Sequence, residues 1–507
     1  MKRILLVPTF TAICFFALAQ TVVKKPTPGP HAASPATGYS ISTTLTPYKN
    51  QWLYLGTYFG KNLILADSAR TDAQSHCVFK GATKLTPGIY FYVTPSHNKL
   101  FEILIDEAQH FSVVADSAHP EAVVVTGSPD NTLFFNYTKF LNDEGPKLNE
   151  AQVKLKNPNL TKADGDALKA QAMEISQKMN DYRENVMKTH PNSMLAFFLR
   201  VVKFPDVPAA PLLPNGKIDS TFAGRYVKTH YWDNVAFNDD RLLHTPFFDG
   251  KDNNGKDNGK LGDYFNYYVS PNPDSIYSEI NYMLLYARGT KEMEHYLLGR
   301  FTDKYINPEI MGQDKVFVEL FKNYFLKGDT LWLNATQRKF IFDRGWSLIS
   351  SIVGDVAPPL NLVDTAGKPV RLYDVKAPFT FVVFWDPTCS HCKAQVPEVD
   401  SIYEAKWKAM GIKIFAVNTN EATHDEWKAF IRDHNLNGWY HVWQTKKEHD
   451  QETKDGLPNY RQLYDVYQTP TMYLLDADKR IIAKKIGLLQ FDDFIQFKLK
   501  QPQAVTK

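Results

Sequence analysis

Between residues 45 and 130 the chain places apolar, β-branched and aromatic residues in short runs: 52–55, 63–65, 89–93, 101–105, 111–114 and 123–125, with a further strand-like run at 77–80. Turn signals such as Pro87-Gly88 and Ser128-Pro129-Asp130-Asn131 separate them. Short runs punctuated in this way predict a small antiparallel β-sandwich or barrel. From 131 to 350 the period lengthens. Residues 161–188 contain no proline and carry Leu168, Ala172, Ile175 and Met179 at three- and four-residue steps, the mark of a long amphipathic helix. Segments 275–286, 291–305, 315–326 and 337–349 repeat the signal, so this stretch is expected to be all-α. Its many aromatics read as core, and no chemistry is assigned to them.

Beyond 354 the pattern changes again. Phe379-Thr380-Phe381-Val382-Val383-Phe384-Trp385 is a continuous apolar run, expected for a strand buried on both faces. Pro387 ends it, Thr388 is placed to cap a helix, and Ala394, Val396, Val399, Ile402 and Tyr403 follow at helical spacing. Cys389 then falls in the first turn of that helix. Unpaired N–H groups and the positive end of the helix dipole favour a thiolate there, which makes Cys389 the expected nucleophile. Cys392, one turn later, is placed to resolve a mixed disulfide formed by Cys389. His391 can place charge or a hydrogen bond beside the Cys389 thiolate, raising the potential of the couple. Reduction potentials of such pairs span from about −270 mV in thioredoxin to about −120 mV in DsbA. Three duller readings fare worse. Zinc would need two more ligands, and the chain offers only Cys77 and scattered histidines; a staple across so short a loop removes little entropy; inert buried thiols leave Pro387 and His391 unexplained.

These residues resemble the thioredoxin-fold domain of the TlpA and ResA type, the envelope thiol-disulfide oxidoreductases. The features that carry the resemblance are the lead-in Gly354-Asp355-Val356-Ala357-Pro358, the hairpin signal Asp364-Thr365-Ala366-Gly367 and the WxxxCxxC core from Trp385 to Cys392. Pro397, the strand-like run 412–417 and Thr469-Pro470 before the strand-like run 471–475 complete it. The resemblance implies an α/β thioredoxin fold over 354–507 with Pro470 cis and facing the cysteines. It also implies that Thr469 and Pro470 dock an extended substrate segment, strand to strand, and that Trp385, His391 and Gln395 tune the couple. The chain departs from the family at two places. Thioredoxins carry a buried Asp six residues before the first cysteine and TlpA-like proteins a Glu three residues after the second; here those positions are Val383 and Gln395, and Glu398 falls on another helix face. The usual proton acceptor for the resolving thiol is therefore expected to be missing. A peroxidase on this fold would need Thr or Ser three residues before its cysteine, where Asp386 and Cys389 stand instead. The β-rich and helical regions resemble the companion domains that precede TlpA-like domains in exported multi-domain proteins.

With 507 residues, several folding units are expected. The near-balance of 58 Lys+Arg against 55 Asp+Glu calls for no nucleic acid or anionic surface. Lys2-Arg3, the apolar run 4–16 and Ala17-Leu18-Ala19 read as a cleaved secretory signal over 1–19, followed by a flexible leader over 20–44 rich in Pro, Thr and Ala. Thr11-Ala12-Ile13 is a poor lead-in for lipidation at Cys14. The expected setting is the periplasm or cell envelope. There the partners would be envelope proteins with thiols or disulfides and a membrane-linked electron donor, with no cofactor and no metal. Cys77 reads as a core residue. The Asp/Asn/Gly-rich run 249–259 fits no calcium-loop register and is expected to be a mobile surface insertion. A second reading stays open, in which the N-terminal parts bind a partner and the redox domain is slow or vestigial.

Overall fold

The computed structural model describes residues 38–500 except 253 and 329. The expected signal, 1–19, and residues 20–37 of the expected leader lie outside these. The chain divides into two compact units, one running through Val269 and including Met283–Tyr296, the other joining Ser270–Tyr282 to the residues from Leu297 onward. The helical middle region, 131–350, contributes to both units.

Among the described residues, the first unit opens with β1 (Tyr39–Thr46), β2 (Trp52–Phe59), β3 (Asn62–Arg70), β4 (His76–Gly81), β5 (Gly88–Val93), β6 (Lys99–Ile105), β7 (His110–Asp116) and β8 (His119–Thr126). They form two four-stranded sheets, ordered β4-β1-β7-β8 and β3-β2-β5-β6, whose inner faces share one core including Ile41, Leu55, Phe79, Tyr92, Ile103 and Val113. The sandwich is antiparallel except that β1 and β7 run parallel. β1 also corrects the leader, which was expected to extend to 44. The hydroxyl-rich sequence Ser40-Ile41-Ser42-Thr43-Thr44 hides a strand because Thr43 is buried by bonding: its Oγ1 meets Tyr92 OH at 2.8 Å inside the sandwich. Cys77 lies in this core, and burial, with Asp72 and Asp67 nearby, pushes its thiol up to about 11.

Ser128 caps α1 (Pro129–Leu155) and Thr161 caps α2 (Lys162–Thr189); Leu148, Ile175 and Met179 pack the two together. α3 (Met194–Val202), α4 (Phe222–His230) and α5 (Gly259–Tyr267) follow. The run read as a mobile insertion is instead anchored. Gly250–Lys251 (β9) pairs with Asp257–Asn258 (β10), and Asp249 at its base is fully buried, accepting a bond from Tyr296 OH at 2.7 Å.

The division between units falls within α6 (Pro273–Ala287) and α7 (Lys291–Tyr305). In the second unit α8 (Asp314–Leu320) and α9 (Ala335–Leu348) precede a seven-stranded sheet. Its strands are β11 (Asn361–Asp364), β12 (Pro369–Arg371), β13 (Phe379–Trp385), β14 (Lys413–Asn418), β15 (Tyr440–Trp443), β16 (Thr471–Asp476) and β17 (Ile481–Lys484), in the order β12-β11-β15-β14-β13-β16-β17. The helices are α10 (Ser390–Ile402), α11 (His424–Asp433), α12 (Lys446–Asp455), α13 (Tyr460–Leu463) and α14 (Leu488–Lys500). β13 runs parallel to β14 and antiparallel to β16. Its two-residue period explains the unbroken apolar run: Phe381, Val383 and Trp385 enter one core with residues of α10 and α14, and Val382 and Phe384 enter a second with Leu360, Tyr464 and Tyr473.

Candidate active site

At the C-terminal end of β13 the chain makes a tight turn before α10. The Asp386 carboxylate accepts from the Thr388 N–H at 2.8 Å and its hydroxyl at 2.7 Å, and the Cys389 N–H donates to Asp386 O at 3.2 Å. Thr388 is therefore occupied by Asp386 and does not cap the helix. The cap position belongs to Cys389 itself, with φ −71° and ψ 128°, so the thiol sits just ahead of the first turn instead of within it. The reason is local: the Asp386 carboxylate fastens both the N–H and the hydroxyl of Thr388 two residues on, closing a turn that delays the helix start to Ser390.

Cys389 and Cys392 are both free thiols in unequal settings. Cys389 is half-buried and Cys392 fully buried in the core beneath it. The Cys392 N–H, the Thr469 side chain and the His391 N–H hold the Cys389 sulfur as a thiolate, outweighing partial burial and lowering its pKa from the ordinary 9.0 to about 7. While protonated, the thiol donates to Thr469 O at 3.4 Å. Burial pushes Cys392 the other way, to about 12, although the Asp386 N–H donates to its sulfur at 3.5 Å and the Thr469 side chain also favours the thiolate. One sulfur is poised to attack and the other keeps its proton.

The remaining expected site residues fall as follows. Thr469 and Pro470 are half-buried, joined by a cis peptide bond, and Thr469 touches Cys389. His391 is exposed, and what it brings to the Cys389 sulfur is its backbone N–H, not the ring. Trp385 is buried against Phe430 at 5.1 Å between ring centres, and its carbonyl accepts from the Thr419 N–H at 2.8 Å. Gln395 is half-buried on α10, Val383 is fully buried and Glu398 is exposed. The sequence reading assigned no role at the site to Asp386 or to Asn420, which follows β14. The Asp386 carboxylate also accepts from Asn420 Nδ2 at 2.9 Å; burial pushes its pKa up, and the bonds from Thr388 and Asn420 with the Arg461 charge outweigh it, so it stays below the usual carboxylate range. The Asp-Pro-Thr sequence signals such a turn; nothing in the sequence signals Asn420.

Among the described residues no helix is long and apolar enough to cross a membrane, and no cluster of His, Cys, Asp and Glu could hold a metal ion.

Comparisons with known proteins concentrate on the same region. Residues 353–484 match the AhpC/TSA family. The thiol-disulfide oxidoreductase ResA of Bacillus cereus is 29% identical over 135 residues, covering 27% of this chain and 70% of the relative. ResA of Bacillus subtilis is 28% identical over 139 residues, covering 27% and 68%. Among solved structures, a domain of a possible thiol-disulfide isomerase from Cytophaga hutchinsonii is 37% identical, covers 29% of this chain and 94% of that one, and superposes with a TM-score of 0.26. The C-terminal region of the chain, residues 353–484, is thus an AhpC/TSA thioredoxin-like domain, and its homologues are the ResA thiol-disulfide oxidoreductases.

Proposed function

We propose that this protein is an exported thiol-disulfide oxidoreductase that reduces disulfides of envelope proteins through Cys389 and Cys392. The observation that carries the reading is the asymmetry of the pair: a half-buried thiol lowered to about 7 beside a buried one raised to about 12. The Cys389 thiolate attacks one sulfur of a substrate disulfide, forming a mixed disulfide as the other substrate sulfur leaves as a thiolate. Cys392 then loses its proton and attacks the Cys389 sulfur, the second substrate thiolate leaves, and the pair ends as a disulfide. Two electrons have passed to the substrate, and a membrane-linked donor of two electrons and two protons restores the dithiol. The bond between Cys389 and Thr469 O, with the cis bond from Thr469 to Pro470, supports a role for these two residues in receiving the substrate backbone. Export rests on the signal pattern at 1–19.

Insulin reduction by the full chain, driven by a dithiol, tests this. Turnover that vanishes in Cys389→Ser, and a Cys392→Ser variant that traps mixed disulfides, is the expected result. A second reading is favoured by Val383 and Gln395, which stand where a proton-accepting carboxylate is expected: the chain binds partners and the redox domain is slow. Negligible wild-type turnover, with partner binding retained in Cys389→Ser, would select it.

A further inference from the structure

The loop that meets Cys389 is gripped by a helix outside the thioredoxin-like domain. Residues 464–470 join α13 to β16, and Thr469 near their end takes the Cys389 thiol at 3.4 Å. Upstream, Asp465 is fastened to α9, 121 residues earlier in the chain: Arg344 Nη1 donates to Asp465 Oδ1, and Lys485 Nζ donates to Oδ2. The other arm of Arg344 is itself fixed, Nη2 donating to Asn307 Oδ1 at 2.9 Å and to Ile306 O at 3.3 Å. One turn further along α9, Ser347 Oγ meets Tyr467 OH at 3.0 Å, and the Arg344 guanidinium lies 5.3 Å from the Tyr467 ring centre. Helix α9 therefore holds the loop at the fourth and the second residue before Thr469.

Two features show that the loop needs holding. The Asp465 side chain has no solvent exposure, so its charge depends on the cations that face it. Its backbone is left-handed at φ +51°, a region that Asp enters more readily than most residues but still at some cost in strain. Tyr467, by contrast, is 66% exposed, so its bond to Ser347 holds it where burial does not.

We propose that α9, acting through Arg344 and Ser347, is a positioning element of the redox site, fixing residues 465–467 so that Thr469 meets Cys389. This rests on the reading of Cys389 as the attacking thiol. Arg344 touches neither sulfur nor substrate; it acts through Asp465.

The test uses the full chain with Arg344→Met, Arg344→Lys and Tyr467→Phe, each checked for an intact fold by near-ultraviolet circular dichroism. The pH midpoint for alkylation of Cys389 by iodoacetamide is measured alongside KM and kcat for insulin reduction. Loosening the loop should raise the midpoint by about one unit in Arg344→Met, leaving about one-fifth as much thiolate at pH 7, and raise KM several-fold. Arg344→Lys should recover part of both, and Tyr467→Phe should shift them the same way by less. Folded Arg344→Met and Tyr467→Phe proteins with the wild-type midpoint and KM would overturn the proposal. Should Arg344→Met fail to fold, Tyr467→Phe and Arg344→Lys decide the matter by the same criteria. The alkylation midpoint reads the hold on Cys389 whether or not insulin is a substrate. A wild type without insulin turnover but with a midpoint that moves in Arg344→Met would therefore sink the reductase reading and leave the positioning role standing.

Discussion

Raising the pH changes the number of protons that the Cys389/Cys392 dithiol carries, and the potential of the couple reads that number directly. For two electrons, each proton taken up on reduction contributes about −30 mV per pH unit. Below pH 7 both thiols hold their protons and the slope should be about −59 mV per unit. Cys389, lowered to about 7, ionises first, while Cys392, raised to about 12, keeps its proton throughout the accessible range. The slope should therefore halve near pH 7 and stay near −30 mV per unit to about pH 10. A pair whose first thiol ionised at the ordinary 9.0 would keep the steep slope two units longer. Extrapolated from a common value in acid, the two cases differ by about 50 mV at pH 9, with this protein the higher. The sign follows from the state that the thiolate stabilises: it belongs to the reduced form, so the stabilisation is lost as pH falls through 7 and complete above about 9. At pH 7 half-ionisation raises the potential by only about 9 mV, so the lowered pKa makes Cys389 reactive without making the protein an oxidant. Equilibration against dithiol and glutathione buffers from pH 5.5 to 9.5, with the dithiol fraction counted by alkylation, gives the curve. A single slope near −59 mV per unit through pH 8.5 would refute the argument.

Three further outcomes are expected. Brief iodoacetamide treatment of the reduced native protein at pH 7.5 should modify Cys389 alone, since burial holds Cys77 near 11 and Cys392 near 12; peptide mapping that finds either of those labelled at a comparable rate would contradict the assignment. Gln395→Glu should speed decay of a mixed disulfide on Cys389 by supplying a proton acceptor, seen by rapid quench, and an unchanged rate would count against a missing relay. The pair between Lys484 Nζ and Asp314 Oδ2 has side chains only 4% and 7% exposed, so Asp314→Asn should cost about 3 kcal/mol or more in urea unfolding, and the double replacement Asp314→Leu with Lys484→Met should recover most of it.

How far the sequence could be read depended on how local each feature is. β13 and the cysteine turn were legible because a seven-residue apolar run, a proline and two thiols at fixed spacing lie within fourteen residues of one another. Helix α7 matched its expected limits at Lys291–Tyr305, with Glu292 and Glu294 in its first turn and Lys304 in its last. β1 was missed because its inward Thr43 is satisfied by Tyr92, a partner 49 residues away that no local pattern reveals. The grip of α9 on Asp465 spans 121 residues, and Arg344 reads in isolation as an ordinary helix surface residue. Thr388 misled for the opposite reason: it is a good cap residue with a better partner two positions earlier.

The missing carboxylate has a consequence for the order of events at the site. Val383 sits inside the apolar core and offers nothing to a proton. The groups that meet the Cys392 sulfur are the Asp386 N–H, the Thr469 side chain and Cys389, none of them a carboxylate. Asp386 itself is nearby, but its oxygens are taken by Thr388 and Asn420, and those bonds hold its pKa below the usual range and make it a weak base. On the proposed mechanism Cys389, near 7, is half thiolate at pH 7 and needs no base to attack, whereas Cys392 near 12 must surrender its proton to water or to a departing substrate sulfur. At neutral pH the thiolate fraction of a group near 12 is about one in 100,000, so resolution lags attack unless the substrate supplies the base. The leaving sulfur of the first step is such a base, and a substrate whose two cysteines stay close after cleavage retains it. On the proposed mechanism such a substrate is resolved faster only where its retained sulfur deprotonates Cys392 before it re-attacks its own mixed disulfide and reverses the first step.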